Sequence, residues 1–299
     1  MKMKDMTYGF VGLGLMGGSI ARAVRENILN VSEAKGRILA CDINQVSLNL
    51  AKEGLIADEV FTLCEVDTML AQCDLTYICL YPHATKDFLI KHANSFKKNS
   101  IVTDISGVKT AIMDELPDFN SLNVDFIPGH PMAGSEKEGY VHSNGAIFAG
   151  RNYILMPLAF NKAENIELLK DIITSIGFTR IIETDFSVHD HKIAFTSQLC
   201  HVIASALVQS AEDTQITAFG GGSFEDLTRI AMINAPLWTE LFLANKNELL
   251  GHIESFEKSL TEIKNLIKND DKNGLEAVLE EVRSRRMTMS RIDSKTILK

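Results

Sequence analysis

The stretch TYGFVGLGLMGGSIA, residues 7–21, carries the pattern Gly-x-Gly-x-x-Gly between an apolar run and an amphipathic segment. The first glycine allows a tight turn, the second lets a phosphate approach the backbone, and the third lets a helix pack closely on a strand. The helix that follows would point its free amide groups at that phosphate. We therefore predict a dinucleotide-binding turn with cofactor contacts at Gly12, Leu13, Gly14, Met16 and Gly17.

Asp42 ends the second predicted strand and is the candidate for choosing between the two nicotinamide cofactors. A carboxylate at this point can accept hydrogen bonds from both ribose hydroxyls, and it repels a 2′-phosphate. The sequence therefore favours NAD over NADP. The simpler interpretation is a glycine-rich turn followed by an unrelated aspartate, but the flanking strand and helix favour the cofactor site.

Apolar, β-branched runs alternate with amphipathic segments as far as residue 184. This alternation is typical of an α/β fold with a doubly wound, mostly parallel sheet. We predict strands at 8–12, 37–42, 75–80, 101–104, 124–127, 152–156 and 179–183. We predict helices between them at 16–28, 45–53, 85–95 and 162–176. Residues 1–184 form the predicted cofactor-binding domain.

From residue 185 to residue 299 the sequence lacks strand-like runs, and its apolar residues recur at three- and four-residue spacing. We predict helices at 188–211, 236–268 and 275–291. Their apolar stripes are longer than this half of the chain can cover by itself. We therefore predict an all-α second domain that packs on a partner chain.

The composition limits the partners and the compartment. The 299 residues carry a net charge of −9, which argues against nucleic acid or an anionic membrane as the main partner. An anionic substrate would need a local basic group. The five cysteines are odd in number and form no Cys-x-x-Cys pair, which favours free thiols in a reducing compartment. No segment resembles a signal peptide or a membrane span, so we expect a cytoplasmic protein.

Further segments carry side chains that can take part in catalysis. GHPMAGSEKEG, at 129–139, places a histidine and a glutamate among flexible residues in a predicted loop. The others are TDISGVK at 103–109, SQLCH at 197–201 and GGGSFEDLTRIA at 220–231. A histidine near a bound nicotinamide can take the proton of an alcohol while hydride leaves the same carbon. The segments predict an active site at the sheet edge where ligands bind.

With these segments the chain resembles the prephenate dehydrogenase family over essentially its whole length. The segments at 129–139 and 220–231 are the specific part of the resemblance, whereas many families share the glycine pattern. The resemblance implies a Rossmann-type domain followed by an all-α dimerisation domain that forms a homodimer. It also implies the NAD-dependent oxidative decarboxylation of prephenate to 4-hydroxyphenylpyruvate, in tyrosine biosynthesis.

The same resemblance implies roles for individual residues. His130 looks like the group that accepts the proton of the ring hydroxyl. Arg229 resembles the arginine that binds a carboxylate of prephenate, for which its planar guanidinium is well suited. Asp226 would hold that arginine in place. Which of the two prephenate carboxylates Arg229 binds is left open.

The remaining site residues are implied in the same way. His201 looks like a second histidine that contacts the substrate, Glu136 like a polar residue at the entrance, and Trp238 like an aromatic wall. The family commonly has a serine at the position of Gly107, whose hydroxyl bonds the catalytic histidine or the substrate. Here the serine is Ser106, one residue earlier. We expect either that Ser106 reaches the site or that another donor replaces it.

Other interpretations are open at this point. His130 could cap a turn, Arg229 with Asp226 could be a surface ion pair, and His201 could be a core histidine bonded to a carbonyl. A relative that uses arogenate would share every motif. A β-hydroxyacid dehydrogenase would use a lysine of the helical domain as its acid–base group. A non-catalytic NAD-sensing module would need the glycines but not His130 or Arg229.

Two further groups of residues have simple interpretations. His189 and His191 would point to different faces of a helix, so we expect no metal site. The basic residues near the carboxyl end are expected to form a solvated helix end; they are Arg283, Arg285, Arg286 and Arg291.

Overall fold

The computed structural model of the chain describes residues 2–290. Its main sheet consists of β1 Thr7–Val11, β2 Arg37–Cys41, β3 Glu59–Phe61, β4 Leu75–Ile78, β5 Ile101–Asp104 and β6 Asp125–Phe126. All neighbouring strands are parallel, and their order is β3-β2-β1-β4-β5-β6. The carboxyl ends of the strands therefore meet at one edge, and the order reverses beside β1.

Helices connect these strands and cover both faces of the sheet. They are α1 Leu15–Val24, α2 Gln45–Glu53, α3 Val66–Leu70, α4 Pro82–His92, α5 Thr110–Met113 and α6 Ala163–Ser175. The helix predicted at 16–28 is divided, because a π-helical turn, Arg25–Leu29, follows α1.

Alternate residues of the central strands face two separate hydrophobic cores. Phe10 and Tyr77 belong to one core, and their rings stack with centroids 5.3 Å apart. Val11 and Ile78, the next residues along the same strands, belong to the other core. Strands buried on both faces appear in a sequence as continuous apolar runs, which is why the pattern predicted a parallel sheet.

A separate sheet consists of β7 Gly129–Pro131, β8 Asn152–Leu155 and β9 Arg180–Glu183. The middle strand, β8, pairs antiparallel with β7 and parallel with β9. From their glycine and proline we expected residues 129–131 to be part of a loop. They form a strand instead. Those residue types argue against a strand locally, so pairing with β8 decides the structure. The short strand β3 is also missing from the predicted set.

The second half of the described chain is helical. It contains α7 Phe186–Ile193, α8 Leu199–Gln209, α9 Gly222–Thr228, α10 Ala235–Ala244, α11 Lys246–Lys268 and α12 Lys272–Ser290. A π-helical turn, Ala194–Gln198, joins α7 to α8 without a break. The predicted α/β fold followed by an all-α part is confirmed. None of the described helices combines the length and apolar character needed to cross a membrane.

The helix predicted at 236–268 is interrupted at Asn245, which separates α10 from α11. The buried amide of Asn245 donates to the carbonyl oxygen of Asp190 and to Oε1 of Gln198, both at 2.9 Å. The interruption therefore ties α10 and α11 to α7 and to the turn before α8. Residues 291–299, including Arg291 of the predicted basic helix end, lie outside the described residues.

Candidate active site

In the turn after β1, the backbone at Gly12 and Gly17 packs so closely against neighbouring atoms that a side chain would not fit. Gly12 has a φ of +95°, and a Cβ at Gly17 would lie 2.1 Å from the carbonyl oxygen of Gly12. Gly14, in contrast, has no neighbouring atom within 4 Å of a Cβ position. It is the N-cap of α1 and provides no side-chain cap. The first amide groups of α1 therefore face open space at the carboxyl edge of the sheet.

Asp42 is attached to this turn. Its Oδ2 accepts a hydrogen bond from the backbone N–H of Leu13 at 2.5 Å, and its Oδ1 accepts one from Asn44 at 2.7 Å. The carboxylate remains partly exposed. Residues 43–51, which follow it, include no lysine or arginine. This segment therefore offers no basic side chain to a 2′-phosphate.

His130 lies on β7, close to the loop that follows β5. A Cβ at Gly107 would be 3.8 Å from His130 Nε2 and 3.3 Å from Leu241 Cδ2 on α10. The Nε2 edge of the ring therefore faces the place where the end of β5 meets α10. The ring is partly exposed, and within residues 2–290 its Nε2 has no hydrogen-bond partner.

The other nitrogen of His130, Nδ1, lies 2.9 Å from Nε2 of His189. Nδ1 of His189 in turn lies 2.7 Å from Oδ1 of Asp190, and both residues are buried. Asp190 also accepts hydrogen bonds from the backbone N–H groups of Lys109 and Thr110, at 2.7–3.1 Å. The sequence gives no sign of this role for His189, because its contact with His130 spans 59 positions and has no local signature.

His191 takes a different direction from His189. Its Nδ1 lies 2.6 Å from Oε2 of Glu248 on α11, and both side chains are about half exposed. The two histidines therefore face different neighbours, as the helical spacing predicts.

Lys109 is completely buried, and so is its partner Asp104. Its Nζ donates to Oδ2 of Asp104 at 2.5 Å and to the carbonyl oxygen of Gly129 at 2.6 Å. Burial lowers the pKa of Lys109, although the charge of Asp104 opposes that shift. Burial, together with His189 and the Lys109 ammonium, holds the pKa of His130 well below its usual value. His130 is therefore neutral at pH 7.

The structure does not bring Ser106 to His130. The backbone N–H of Ser106 donates to Oδ2 of Asp104 at 3.0 Å, and its hydroxyl lies 3.3 Å from Oγ1 of Thr85 on α4. This turn directs the hydroxyl into the protein. Gly107 is the residue next to the imidazole, so no side-chain hydroxyl from this loop reaches Nε2.

His201 on α8 and Trp238 on α10 stack on each other, with ring centroids 3.5 Å apart. Nδ1 of His201 lies 2.9 Å from the carbonyl oxygen of Ser197, so Nδ1 carries the hydrogen and Nε2 keeps a lone pair. Burial lowers the pKa of His201, and nearby Arg229 adds to this against the effect of Ser197. Trp238 precedes Leu241 by about one helical turn, so the stacked rings lie on the same side of α10 as Leu241, which approaches Gly107.

Arg229 lies at the rim of the site. Its Nη1 is 3.9 Å from Oε2 of Glu136, and their side chains are 62% and 37% exposed. Among the described residues Asp226 forms no hydrogen bond or ion pair with Arg229, contrary to expectation. The charged group nearest to the Arg229 guanidinium is instead the carboxylate of Glu136. The guanidinium is therefore largely free to meet an anion.

Two models of known protein families match the chain. The nucleotide-binding domain of prephenate dehydrogenase matches residues 20–182, and the dimerization domain of prephenate dehydrogenase matches residues 185–281.

Individual relatives are similar over most of their length. A cyclohexadienyl dehydrogenase from Zymomonas mobilis is 30% identical over 87% of this chain and 88% of its own. A prephenate dehydrogenase from Lactococcus lactis is 30% identical over 93% of this chain and 76% of its own.

Solved structures have the same architecture. One is prephenate dehydrogenase from Aquifex aeolicus in complex with hydroxyphenyl propionate and NAD⁺. It is 29% identical to this chain with a TM-score of 0.82, and the match covers 95% of this chain and 98% of the Aquifex chain. Arogenate dehydrogenase from Synechocystis is 25% identical with a TM-score of 0.77, covering 95% of this chain and 100% of its own.

The buried ion pair of Lys109 and Asp104 can be tested for its contribution to stability. We expect Lys109→Met to lower the free energy of unfolding by about 3–5 kcal/mol, because it leaves the Asp104 carboxylate buried without its partner. The double variant Lys109→Met/Asp104→Leu removes both charges and should recover much of that loss. Urea unfolding followed by circular dichroism measures both effects.

Lys170→Met is the matched control, because Lys170 pairs with glutamates that are largely exposed. It should cost no more than about 1 kcal/mol. If Lys109→Met lowered the free energy of unfolding as little as this control, the buried pair would not be important for stability.

Proposed function

The chain belongs to the prephenate dehydrogenase family, and from this we propose that it catalyses the NAD-dependent oxidative decarboxylation of prephenate to 4-hydroxyphenylpyruvate, in tyrosine biosynthesis. The observation that carries the proposal is the imidazole of His130. It is held neutral, with Nε2 directed at the place where the sheet edge meets α10. Oxidation of a ring alcohol requires a neutral base at such a place.

We assign NAD to the turn after β1. The open space at Gly14 and the uncapped amides of α1 suit a pyrophosphate. Asp42 has lone pairs left for the ribose hydroxyls after its bonds to the backbone. Bound NAD would supply the acceptor for the hydride. The residues proposed to contact it are Gly12, Leu13, Gly14, Met16, Gly17 and Asp42.

His130 serves as the general base in this proposal. Its Nε2 accepts the proton of the ring hydroxyl, and the O–H electron pair forms the carbonyl as hydride leaves the same carbon. The resulting dienone loses CO₂, because the electron pair of the bond to the carboxylate moves through the ring to the oxygen. The phenolate formed in this way takes the proton back from His130, and the ring is aromatic.

Arg229 is proposed to bind one prephenate carboxylate through its planar guanidinium. Its attraction is local, because the chain as a whole carries a charge of −9. Glu136 would orient the guanidinium, and the stacked rings of His201 and Trp238 would form a flat wall for the substrate. We give Asp226 no direct role, because among the described residues no hydrogen bond or ion pair joins it to Arg229.

The substrate could also be arogenate, which has an amino group where prephenate has a keto group. We favour prephenate, because an exposed arginine at the rim attracts the more negatively charged of the two substrates. Ser106 is left out of the proposed mechanism, because its hydroxyl faces Thr85.

We also propose the division of labour between the two halves. Residues 1–184 would bind NAD, and residues 185–299 would bind substrate and form a homodimer. Leu260 and Ile267 on α11 are 53% and 59% exposed, and Leu279 and Val282 on α12 are 53% and 54% exposed. A second copy would cover them. All five cysteines are free thiols, which agrees with a cytoplasmic location.

The His130→Asn variant tests the proposed base. We expect kcat to fall by about 10²–10⁴-fold with little change in the prephenate KM, because asparagine fills the space but does not take up the proton. Formation of NADH from NAD and prephenate measures both constants. His142→Asn, at an exposed histidine, is the control. A raised KM with an unchanged kcat would exclude His130 from proton transfer.

The wild-type chain should be assayed with prephenate and with arogenate in parallel. A higher kcat/KM for arogenate would assign the alternative substrate. Turnover of neither substrate would overturn the proposed activity.

Asp42→Ser tests the choice of cofactor. The change removes the charge that repels a 2′-phosphate, so the NAD to NADP ratio of kcat/KM should fall about tenfold, equal to about 1.4 kcal/mol. Asp87→Ser, at an exposed aspartate of α4, should leave the ratio unchanged. An unaltered ratio in Asp42→Ser would count against its contact with the ribose.

The proposed dimer can be tested on α11. Leu260→Glu/Ile267→Glu places two charges on the exposed apolar stripe, so the particle mass should fall from twice 33.1 kDa to 33.1 kDa in sedimentation equilibrium. Lys258→Glu, an exposed change on the opposite face of the same helix, should leave the dimer intact. A double variant that remains dimeric would place the interface elsewhere.

A further inference from the structure

We propose that His189 and Asp190 are positioning residues that hold His130 in the tautomer with hydrogen on Nδ1 and a lone pair on Nε2. The inference rests on the proposed function, because it concerns the residue assigned as the base. It is carried by a row of three contacts: His130 to His189, His189 to Asp190, and Asp190 to the backbone of residues 109 and 110.

The direction of these hydrogen bonds follows from Asp190. Its carboxylate accepts from the backbone N–H groups of Lys109 and Thr110. Burial by itself would raise the pKa of Asp190, but hydrogen bonds from His189 and Thr110 bring it below its usual value. An ionised carboxylate offers only lone pairs. Nδ1 of His189, 2.7 Å from Oδ1, must therefore carry a hydrogen.

His189 transmits this orientation to His130. Burial lowers the pKa of His189 although Asp190 opposes the shift, so the ring is neutral at pH 7. A neutral imidazole with hydrogen on Nδ1 has its lone pair on Nε2. That lone pair faces Nδ1 of His130 at 2.9 Å, so Nδ1 of His130 is the donor. Neutral His130 then keeps its own lone pair on Nε2, beside Gly107.

The charged groups around the two imidazoles agree with this arrangement. Lys109, held between Asp104 and the Gly129 carbonyl, disfavours a proton on either ring before substrate binds. Asp190 and Asp104 oppose this effect at His189, and the hydrogen bond to Asp190 places the hydrogen of His189 on Nδ1. When Nε2 of His130 takes up a proton, the acceptor at His189 is already in place for the imidazolium.

The role is specific to a hydrogen-bond acceptor at position 189. An apolar residue there would leave Nδ1 of His130 without a partner, and both tautomers of His130 would then be populated. Only the tautomer with a free Nε2 can accept the hydroxyl proton. The pair therefore controls the fraction of enzyme that is ready to react, and it does so without touching the substrate.

Asp190→Asn inverts the row of hydrogen bonds. The asparagine oxygen can keep the backbone N–H groups, while its amide donates to Nδ1 of His189. His189 then carries hydrogen on Nε2 and donates to Nδ1 of His130, which puts the hydrogen of His130 on Nε2. Inverting the tautomer of a catalytic histidine in this way lowers kcat by up to about 10⁴-fold. We expect a fall of about 10²–10⁴-fold with the prephenate KM changed less than about threefold.

Substitutions at His189 keep the hydrogen bonds of Asp190 to the backbone. They therefore test the orientation of His130 even if Asp190→Asn does not fold. His189→Leu removes the acceptor and should lower kcat by about 10-fold or more. His189→Gln places an amide oxygen near the same position and should restore much of the activity. His191→Leu, at the neighbouring histidine that pairs with Glu248, is the matched control and should leave kcat unchanged.

The tautomer itself is measured by long-range ¹H–¹⁵N correlation spectra of protein labelled at histidine. The signals of His130 are those that His130→Asn lacks. We expect hydrogen on Nδ1 in the wild type and on Nε2 in Asp190→Asn. Hydrogen on Nε2 in the wild type would overturn the inference, as would unchanged kcat values in Asp190→Asn and His189→Leu. If the wild type turned over neither substrate, the proposed function would fail, while the spectra would still test the tautomer.

Discussion

The buried ammonium of Lys109 is the point where the three parts of the structure meet. Its Nζ joins Asp104, at the end of β5 in the main sheet, to the carbonyl of Gly129 in the small sheet. Its backbone N–H donates to Asp190 at the start of the helical half. A charge without solvent must keep its partners, because an unpaired buried ion is far more costly than a broken surface pair. The residue before His130 is therefore fixed relative to both halves of the chain.

This constraint divides the site into a rigid part and an adjustable part. His130 is held by buried neighbours whose hydrogen bonds determine one another, so its position and charge state are set before any ligand binds. Arg229 and Glu136, in contrast, lie exposed at the rim with 3.9 Å between their charged atoms. Proton transfer demands accurate geometry, whereas capture of a carboxylate tolerates movement. The division therefore matches what each step of the proposed reaction requires.

Local patterns predicted the parts of the structure that depend on neighbours in sequence. The apolar runs gave the central strands to within a residue or two, because these strands are buried on both faces, and the glycine spacing located the turn at Gly12. The strand at 129–131 has no such pattern, since β8 induces it. The contact between His130 and His189 spans 59 positions. Arg229 faces Glu136, which is distant in sequence, and it does not form the expected pair with Asp226. Tertiary contacts that oppose or ignore local spacing are the ones that sequence reasoning missed.

Gly107 and His189 are best understood together. In a site with a serine at position 107, a hydroxyl could hold the imidazole from its Nε2 side. In this chain position 107 is a glycine, which has no hydroxyl to offer, and Ser106 turns to Thr85. The ring must then be oriented from its Nδ1 side, where a buried acceptor already stands. Because no group of residues 2–290 forms a hydrogen bond with Nε2, that nitrogen does not have to give up such a bond when it receives the substrate hydroxyl. A glycine on one face of the ring thus fits the presence of a fully bonded histidine on the other.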